Sequence, residues 1–169
     1  MKSTEPKLLK NVFDIFTDKR GFLNAADLTK IIQLVGNQKF DIRYQLMSFS
    51  QAKATFRGFH YQDRPYAQNK LILLHQGSIS DFIVPVDNPK INEVLTYEMS
   101  AGDALFVPNT FAHGFLTKTE NVIMQYFMDD VFVESHYRGI NGENFLRTIV
   151  DFEKVTVSNK DAAFAISVI

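Results

Sequence analysis

The stretch at residues 70–86, KLILLHQGSISDFIVPV, decides the fold. Lys70-Leu71-Ile72-Leu73-Leu74 is an apolar run too short for a typical helix, and Ser78-Ile79-Ser80-Asp81-Phe82-Ile83-Val84-Pro85-Val86 is rich in β-branched residues. Between them His75-Gln76-Gly77 reads as a turn, and Asp87-Asn88-Pro89 ends the second run. The pair reads as two strands of a hairpin.

The same grammar extends in both directions. Upstream, residues 41–50 are mixed and strand-like, and residues 55–62, TFRGFHYQ, form a further strand before the turn Asp63-Arg64-Pro65. Downstream, residues 92–99 alternate, Ser100-Ala101-Gly102-Asp103 turns, and strands follow at 104–108, 112–116 and 122–127. Short strands punctuated by glycine, proline, asparagine and aspartate predict a closed or sandwiched antiparallel fold. Crossovers of a dozen helical residues, which βαβ units require, do not occur between them. Sixteen phenylalanines and no tryptophan agree, because phenylalanine fills a β core without a polar atom to satisfy.

The flanks are less regular. Residues 7–16 suit either a short helix or a strand, and Asp18-Lys19-Arg20-Gly21 is a turn. Residues 24–32 read as locally helical, with Asn24 as the cap. Residues 145–150 are apolar without a decisive period, and Ser158-Asn159-Lys160-Asp161 is a polar turn.

With 169 residues the chain has the size of one domain, and 46% hydrophobic with 22% charged residues fits a folded, soluble protein. A net charge of −1 carries no electrostatic pull towards nucleic acid or an anionic membrane. The absence of cysteine removes disulfides, thiol catalysis and sulfur ligands. The polar Met1-Lys2-Ser3-Thr4-Glu5-Pro6 has no apolar secretory core, so the cytoplasm is the expected compartment.

In residues 55–62 a regular strand sets Arg57, Phe59 and Tyr61 on one face and Phe56, Gly58, His60 and Gln62 on the other. Taken alone, His60 is either a core histidine or a base facing a pocket. His60 and His113 lack the spacing of a metal pair, so no metal is expected and a general base is the better role. Asp161 is a carboxylate that could orient such a base, while Arg20, Arg57 and Lys70 could gather around phosphate; each also reads blandly as a turn or solvated charge.

Several separated motifs bear on that choice. Phe56-Arg57-Gly58-Phe59-His60-Tyr61-Gln62, Ala67-Gln68-Asn69-Lys70, Val107-Pro108-Asn109-Thr110-Phe111-Ala112-His113-Gly114-Phe115, Arg138-Gly139-Ile140 and Ser158-Asn159-Lys160-Asp161 occur in that order. Together they resemble the dTDP-4-dehydrorhamnose 3,5-epimerase family of cupin-like nucleotide-sugar enzymes, over most of residues 18–161. The resemblance implies an all-β jelly roll with short peripheral helices, a homodimer, and neither metal nor redox cofactor. Residues 1–169 would then form a single domain with a core at about 40–130, a dimerising N-terminal arm, and a C-terminal segment carrying Asp161.

The resemblance also implies roles. His60 is the base that removes a proton beside a 4-keto group, Asp161 orients it, and Lys70 stands by the keto oxygen. Arg57 and Arg20 match diphosphate contacts, with Arg20 reaching the partner subunit's site. His113, Gln45 and Tyr126 match further pocket positions. The implied proton-donating tyrosine falls seven residues before Gly139, where this chain has Phe132, which carries no hydroxyl; Tyr126 keeps one six residues upstream. Met47-Ser48-Phe49-Ser50-Gln51 and Phe22-Leu23-Asn24 depart from the polar patterns of the family, which leaves the nucleotide open. The expectation is an isomerase inverting carbon 3, with carbon 5 open, of a nucleotide-linked 4-keto-6-deoxy sugar for polysaccharide or glycosylated-metabolite synthesis. A 3,4-ketoisomerase and a non-catalytic nucleotide-sugar-binding cupin are the alternatives.

Overall fold

The computed structural model describes residues 5–36 and 40–169. The reading of the extreme N-terminus as non-secretory therefore falls mostly outside the described residues, as does part of the stretch before residue 40. The strands are β1 (Lys7–Leu9), β2 (Phe13–Asp18), β3 (Gly21–Ala26), β4 (Tyr44–Ser50), β5 (Phe56–Gln62), β6 (Lys70–Gln76) and β7 (Ser78–Pro85). They continue as β8 (Leu95–Ser100), β9 (Ala104–Val107), β10 (Phe111–Thr117), β11 (Val122–Met128), β12 (Tyr137–Asn141) and β13 (Ile166–Ser167). Three short helices, α1 (Leu28–Val35), α2 (Glu143–Ile149) and α3 (Asn159–Ala162), lie at the periphery.

Two sheets face one another, one in the order β1-β9-β6-β11-β4 and the other β13-β12-β5-β10-β7-β8, while β2 and β3 form a separate hairpin. From β4 to β7 and from β8 to β11 every connection passes to the opposite sheet, which is the strand plan of a jelly roll. The expected hairpin at residues 70–86 is therefore not one. β6 pairs with β9 and β11, whereas β7 pairs with β8 and β10. Gly77, at φ +87°, turns the chain across the edge of the sandwich, and a Cβ there would meet Thr119 Oγ1 and Val122 Cγ2 at 2.7 Å.

The alternation within β6 explains the rest. Ile72 and Leu74 point inward to meet Ile79, Ile83, Phe115 and Met124 between the sheets. Leu71 and Leu73 point outward, where Ile31 and Val35 of α1 cover them with Phe106 and Phe127. A strand buried on both faces reads as an unbroken apolar run. On the second sheet, Phe56, Phe59 and Phe82 pack under Phe145 and Leu146 of α2. Each fully buried phenylalanine is worth about 1.5–3 kcal/mol, and these clusters fix both walls of the interior.

Two local readings change. Asn24 lies in β3, and the cap of α1 is Asp27, whose carboxylate accepts from the Lys30 amide at 3.0 Å. Residues 158–161 are not merely a turn: Ser158 caps the one-turn α3 by accepting from the Asp161 amide. That cap sets the position of Asp161.

Candidate active site

The decisive local feature is an irregularity in β5. Against β10, His113 pairs with His60 and Phe115 pairs with Arg57, so three steps on β5 match two on its neighbour. This bulge brings Arg57 and His60 onto the same cavity, where a regular strand would have separated them. Gly58 has φ +135°, and a Cβ on it would come within 2.4 Å of the Gly114 Cα. No other residue type fits so close a backbone approach.

His60 Nε2 lies 2.8 Å from Asp161 Oδ1. Asp161 Oδ2 accepts from the Gly58 amide at 3.2 Å, so the carboxylate grips both the imidazole and the bulge that presents it. Burial alone would raise the Asp161 pKa, but hydrogen bonds from His60, Gly58 and Ser158 hold it below the ordinary carboxylate value. An ionised Asp161 selects the tautomer protonated at Nε2 and leaves Nδ1 with its lone pair. Burial moves the imidazole pKa below its usual value, so His60 is neutral near pH 7 and able to accept a proton. Its side chain keeps 30% of its surface open.

Lys70 Nζ donates to the His60 carbonyl at 2.8 Å. Burial lowers its pKa to about 8, against the pull of Asp81. On the His60 sheet, β10 and β7 bring His113 Nε2 and Asp81 Oδ2 to 2.7 Å, both buried. Burial raises the Asp81 pKa despite the His113 contact. Sequence reasoning missed Asp81, although a lone carboxylate inside the apolar run of β7 is a legible signal. Arg57 is braced by Ser50 Oγ at 3.0 Å and the Phe49 carbonyl at 3.2 Å.

The opposite wall comes from the other sheet. Tyr126 of β11 lines the cavity with Ser48, Leu46 and Tyr44 of β4. Burial pushes the Tyr126 phenol well above its ordinary pKa, so it keeps its proton at neutral pH. Gln45 is on the other face of β4 and does not line the cavity; Tyr44 and Leu46 hold the positions expected of it. The one-residue offset reverses the face. Arg20 sits at the tip of the β2–β3 hairpin, its side chain 84% exposed and paired with Asp18, and does not reach the cavity of its own chain.

Phe132 lines the mouth, stacked on Tyr44 at 5.8 Å. Its loop is tied from below: Gln62 Nε2 donates to the Tyr66 and Val131 carbonyls, Gln62 Oε1 accepts from the Val133 amide, and Gln68 Nε2 donates to the Asp130 and Val131 carbonyls. Tyr137, which the sequence left unplaced, also lines the cavity, 5.4 Å from the His60 ring.

A neutral oriented histidine, a cation beside it and a protonated phenol on the facing sheet form a site built to move a proton next to a carbonyl. The family model for dTDP-4-dehydrorhamnose 3,5-epimerase matches residues 6–166. A dTDP-4-dehydrorhamnose 3,5-epimerase of Shigella flexneri is 28% identical over 83% of this chain and 79% of its own. The crystal structure of the Bacillus anthracis dTDP-4-dehydrorhamnose 3,5-epimerase, with TDP and pyrophosphate bound, superposes with a TM-score of 0.75 at 31% identity, covering 98% of this chain and 96% of that one. The 3'-monoepimerase ChmJ of Streptomyces bikiniensis shares the fold at a TM-score of 0.74 and 18% identity, over 95% of this chain and 83% of its own.

The protein is thus a cupin-type jelly-roll isomerase. It belongs to the dTDP-4-dehydrorhamnose 3,5-epimerase family and is an epimerase of nucleotide-linked keto sugars. Among the described residues no helix is long and apolar enough to cross a membrane.

Proposed function

We propose that the protein inverts carbon 3 of a nucleotide-linked 4-keto-6-deoxy sugar through an enolate, with His60 Nδ1 as base and Tyr126 as the acid that returns the proton. The observation that carries this reading is the opposition of the two groups: His60 stands on β5 of one sheet and Tyr126 on β11 of the other, across one cavity. Removal from one face and return from the other is what inversion needs. The phenol lacking at position 132 is thereby supplied at position 126.

Asp161 orients the imidazole, and Lys70 stabilises the charge that develops on the former carbonyl oxygen. Such general acid–base groups each contribute roughly 10²–10⁴-fold. The buried His113 and the exposed Arg57 line the same wall and contact the sugar and the diphosphate. The cavity, about 240 Å³, holds a sugar ring, and the nucleotide extends across its mouth past Phe132 and Tyr44. Carbon 5 is a second site for the same chemistry when the ring turns in the pocket.

The proposal includes a homodimer in the cytoplasm. Phe16 and Leu23 of the β2–β3 hairpin and Met47 and Phe49 on the outer face of β4 are more than half exposed, an apolar surface that suits a second copy of this chain and would carry Arg20 to the partner's cavity. Sedimentation should give twice the chain mass, and a monomer at micromolar concentration would remove Arg20 from the site.

The reaction is tested by incubating the protein with dTDP-, GDP- and CDP-linked 4-keto-6-deoxy sugars in deuterium oxide and following the carbons by NMR. Deuterium at carbon 3 with inversion supports the reading, and deuterium at carbon 5 extends it. Carbonyl migration from carbon 4 to carbon 3 would identify a ketoisomerase, and binding without exchange a non-catalytic module.

A further inference from the structure

The His60 ring is flanked by two aromatic side chains that come from different elements. Tyr137, at the start of β12, lies 5.4 Å away at an interplanar angle of 41°. Phe164, between α3 and β13, lies 5.9 Å away, edge-on at 76°. The two rings are 6.4 Å apart, so the three form one closed cluster over the dyad. We propose that Tyr137 and Phe164 are positioning residues that clamp the His60 imidazole against Asp161 and shield their hydrogen bond from water, while the other side of the ring stays open to the cavity.

Each ring has its own anchor. Gly139 is the cross-strand partner of His60, and a Cβ there would fall 2.0 Å from the Phe164 ring. Phe164 therefore lies on bare backbone directly beside the base, a place that only glycine opposite His60 leaves free. Lys160 Nζ stands 4.1 Å from the centre of the Tyr137 ring, a cation–π contact from the residue just before Asp161. Tyr137 also meets Phe132 at 6.0 Å, which links the clamp to the mouth of the cavity. The one short segment at residues 160–164 thus supplies the orienting carboxylate, one jaw of the clamp, and the cation that holds the other jaw.

The charged and titratable groups that face His60 are Asp161 of α3, Lys70 of β6, His113 of β10 and the Tyr137 phenol of β12. Asp161 favours the imidazolium, whereas Lys70, His113 and burial oppose it, burial most strongly. A carboxylate at 2.8 Å would by itself make His60 a better proton acceptor but a poorly available one, since it would already be protonated in weakly acidic solution. Shielding by the two rings lets the base keep its orienting carboxylate and remain neutral.

The inference rests on His60 being the base, and its test reads the imidazole directly. The experiment titrates His60 by NMR in the full chain, alongside kcat/KM against pH, for Phe164→Ala, Tyr137→Ala, Gly139→Ala and Tyr137→Phe. Opening the clamp lets more water reach the ring, so in both alanine variants the His60 pKa and the acid limb should rise together, by about one unit. Near pH 8 the loss of rate should be much smaller than near pH 5.5. Gly139→Ala should do the same with Phe164 left in the sequence, by pushing its ring aside. Tyr137→Phe keeps the ring and should leave the limb where it is.

An unmoved His60 titration in correctly folded Phe164→Ala and Tyr137→Ala, judged by circular dichroism, overturns the proposal, as does an equal loss of rate at every pH. If the titration moves but His60→Asn still catalyses exchange, the clamp stands and the base assignment falls.

Discussion

Arg57 and His60 face one cavity although they stand three positions apart along β5, an odd spacing that a regular strand would divide between its two faces. The extra residue sits at Gly58, packed on Gly114. Replacing Gly58 with alanine puts a Cβ 2.4 Å from the Gly114 Cα at a backbone angle closed to L side chains. The expected cost is about 3 kcal/mol or more, read as a lower midpoint in urea. Gly58→Ala with unchanged stability would mean that the bulge is not needed.

In the proposed mechanism Tyr126 and His60 divide the reaction between two sheets, so their loss should not look alike. In Tyr126→Phe the base remains, and proton removal should continue while inversion falls by roughly 10²–10⁴-fold. Substrate recovered from deuterium oxide should carry deuterium at carbon 3 with its original configuration. In His60→Asn exchange itself should stop. Inversion at the normal rate in Tyr126→Phe would move the acid elsewhere.

The pH profile of kcat/KM should be a bell. Its acid limb belongs to His60, which burial places below 6.5, because the imidazolium cannot accept a proton. Its alkaline limb belongs to Lys70, near pH 8, where the cation beside the enolate is lost. Since Lys70 titrates below its unfolded value of 10.5, the fold also gains stability as pH rises from about 8 to 10.5. Lys70→Arg should carry the alkaline limb beyond the measurable range, and a limb still near 8 in that variant would assign it to another group.

Asp161→Asn makes the opposite demand on the acid limb from the aromatic clamp. The carboxylate raises the His60 pKa, so its removal should lower the limb while kcat falls, because the tautomer is no longer enforced. The wild-type carboxylate titrates below its unfolded value. Its contribution to stability is therefore complete above about pH 4 and is lost as pH falls through the folded value. Acid denaturation of Asp161→Asn should consequently show a weaker pH dependence than that of the wild type.

Much of this arrangement is legible in the chain, and the exceptions have physical causes. Strand punctuation reveals a two-sheet antiparallel body, and the separated motifs carry His60, Lys70 and His113, which line one cavity with Tyr126. Gly77 misleads, because a glycine turn serves a hairpin and a passage between sheets equally well; the unbroken LILL of β6 was the better clue. Gln45 misleads by one residue, which in a strand is a whole face. Asn24 resembles a cap, but the hairpin takes it into β3 and leaves Asp27 at the helix start. Tyr137 and Phe164 carry no local signal at all, since their meeting at His60 depends on β12 lying against β5 and on the fold of the last ten residues.

With the proposed base on one sheet and the proposed acid on the other, the gap between them is the thickness of the sandwich, about 10 Å between facing sheets. Side chains that never touch a substrate, such as Ile83 and Met124 between the sheets, act as the shims of a caliper. On that mechanism a thinner or thicker interior would change how the sugar meets the phenol, and the stereochemical outcome would be written partly in the hydrophobic core.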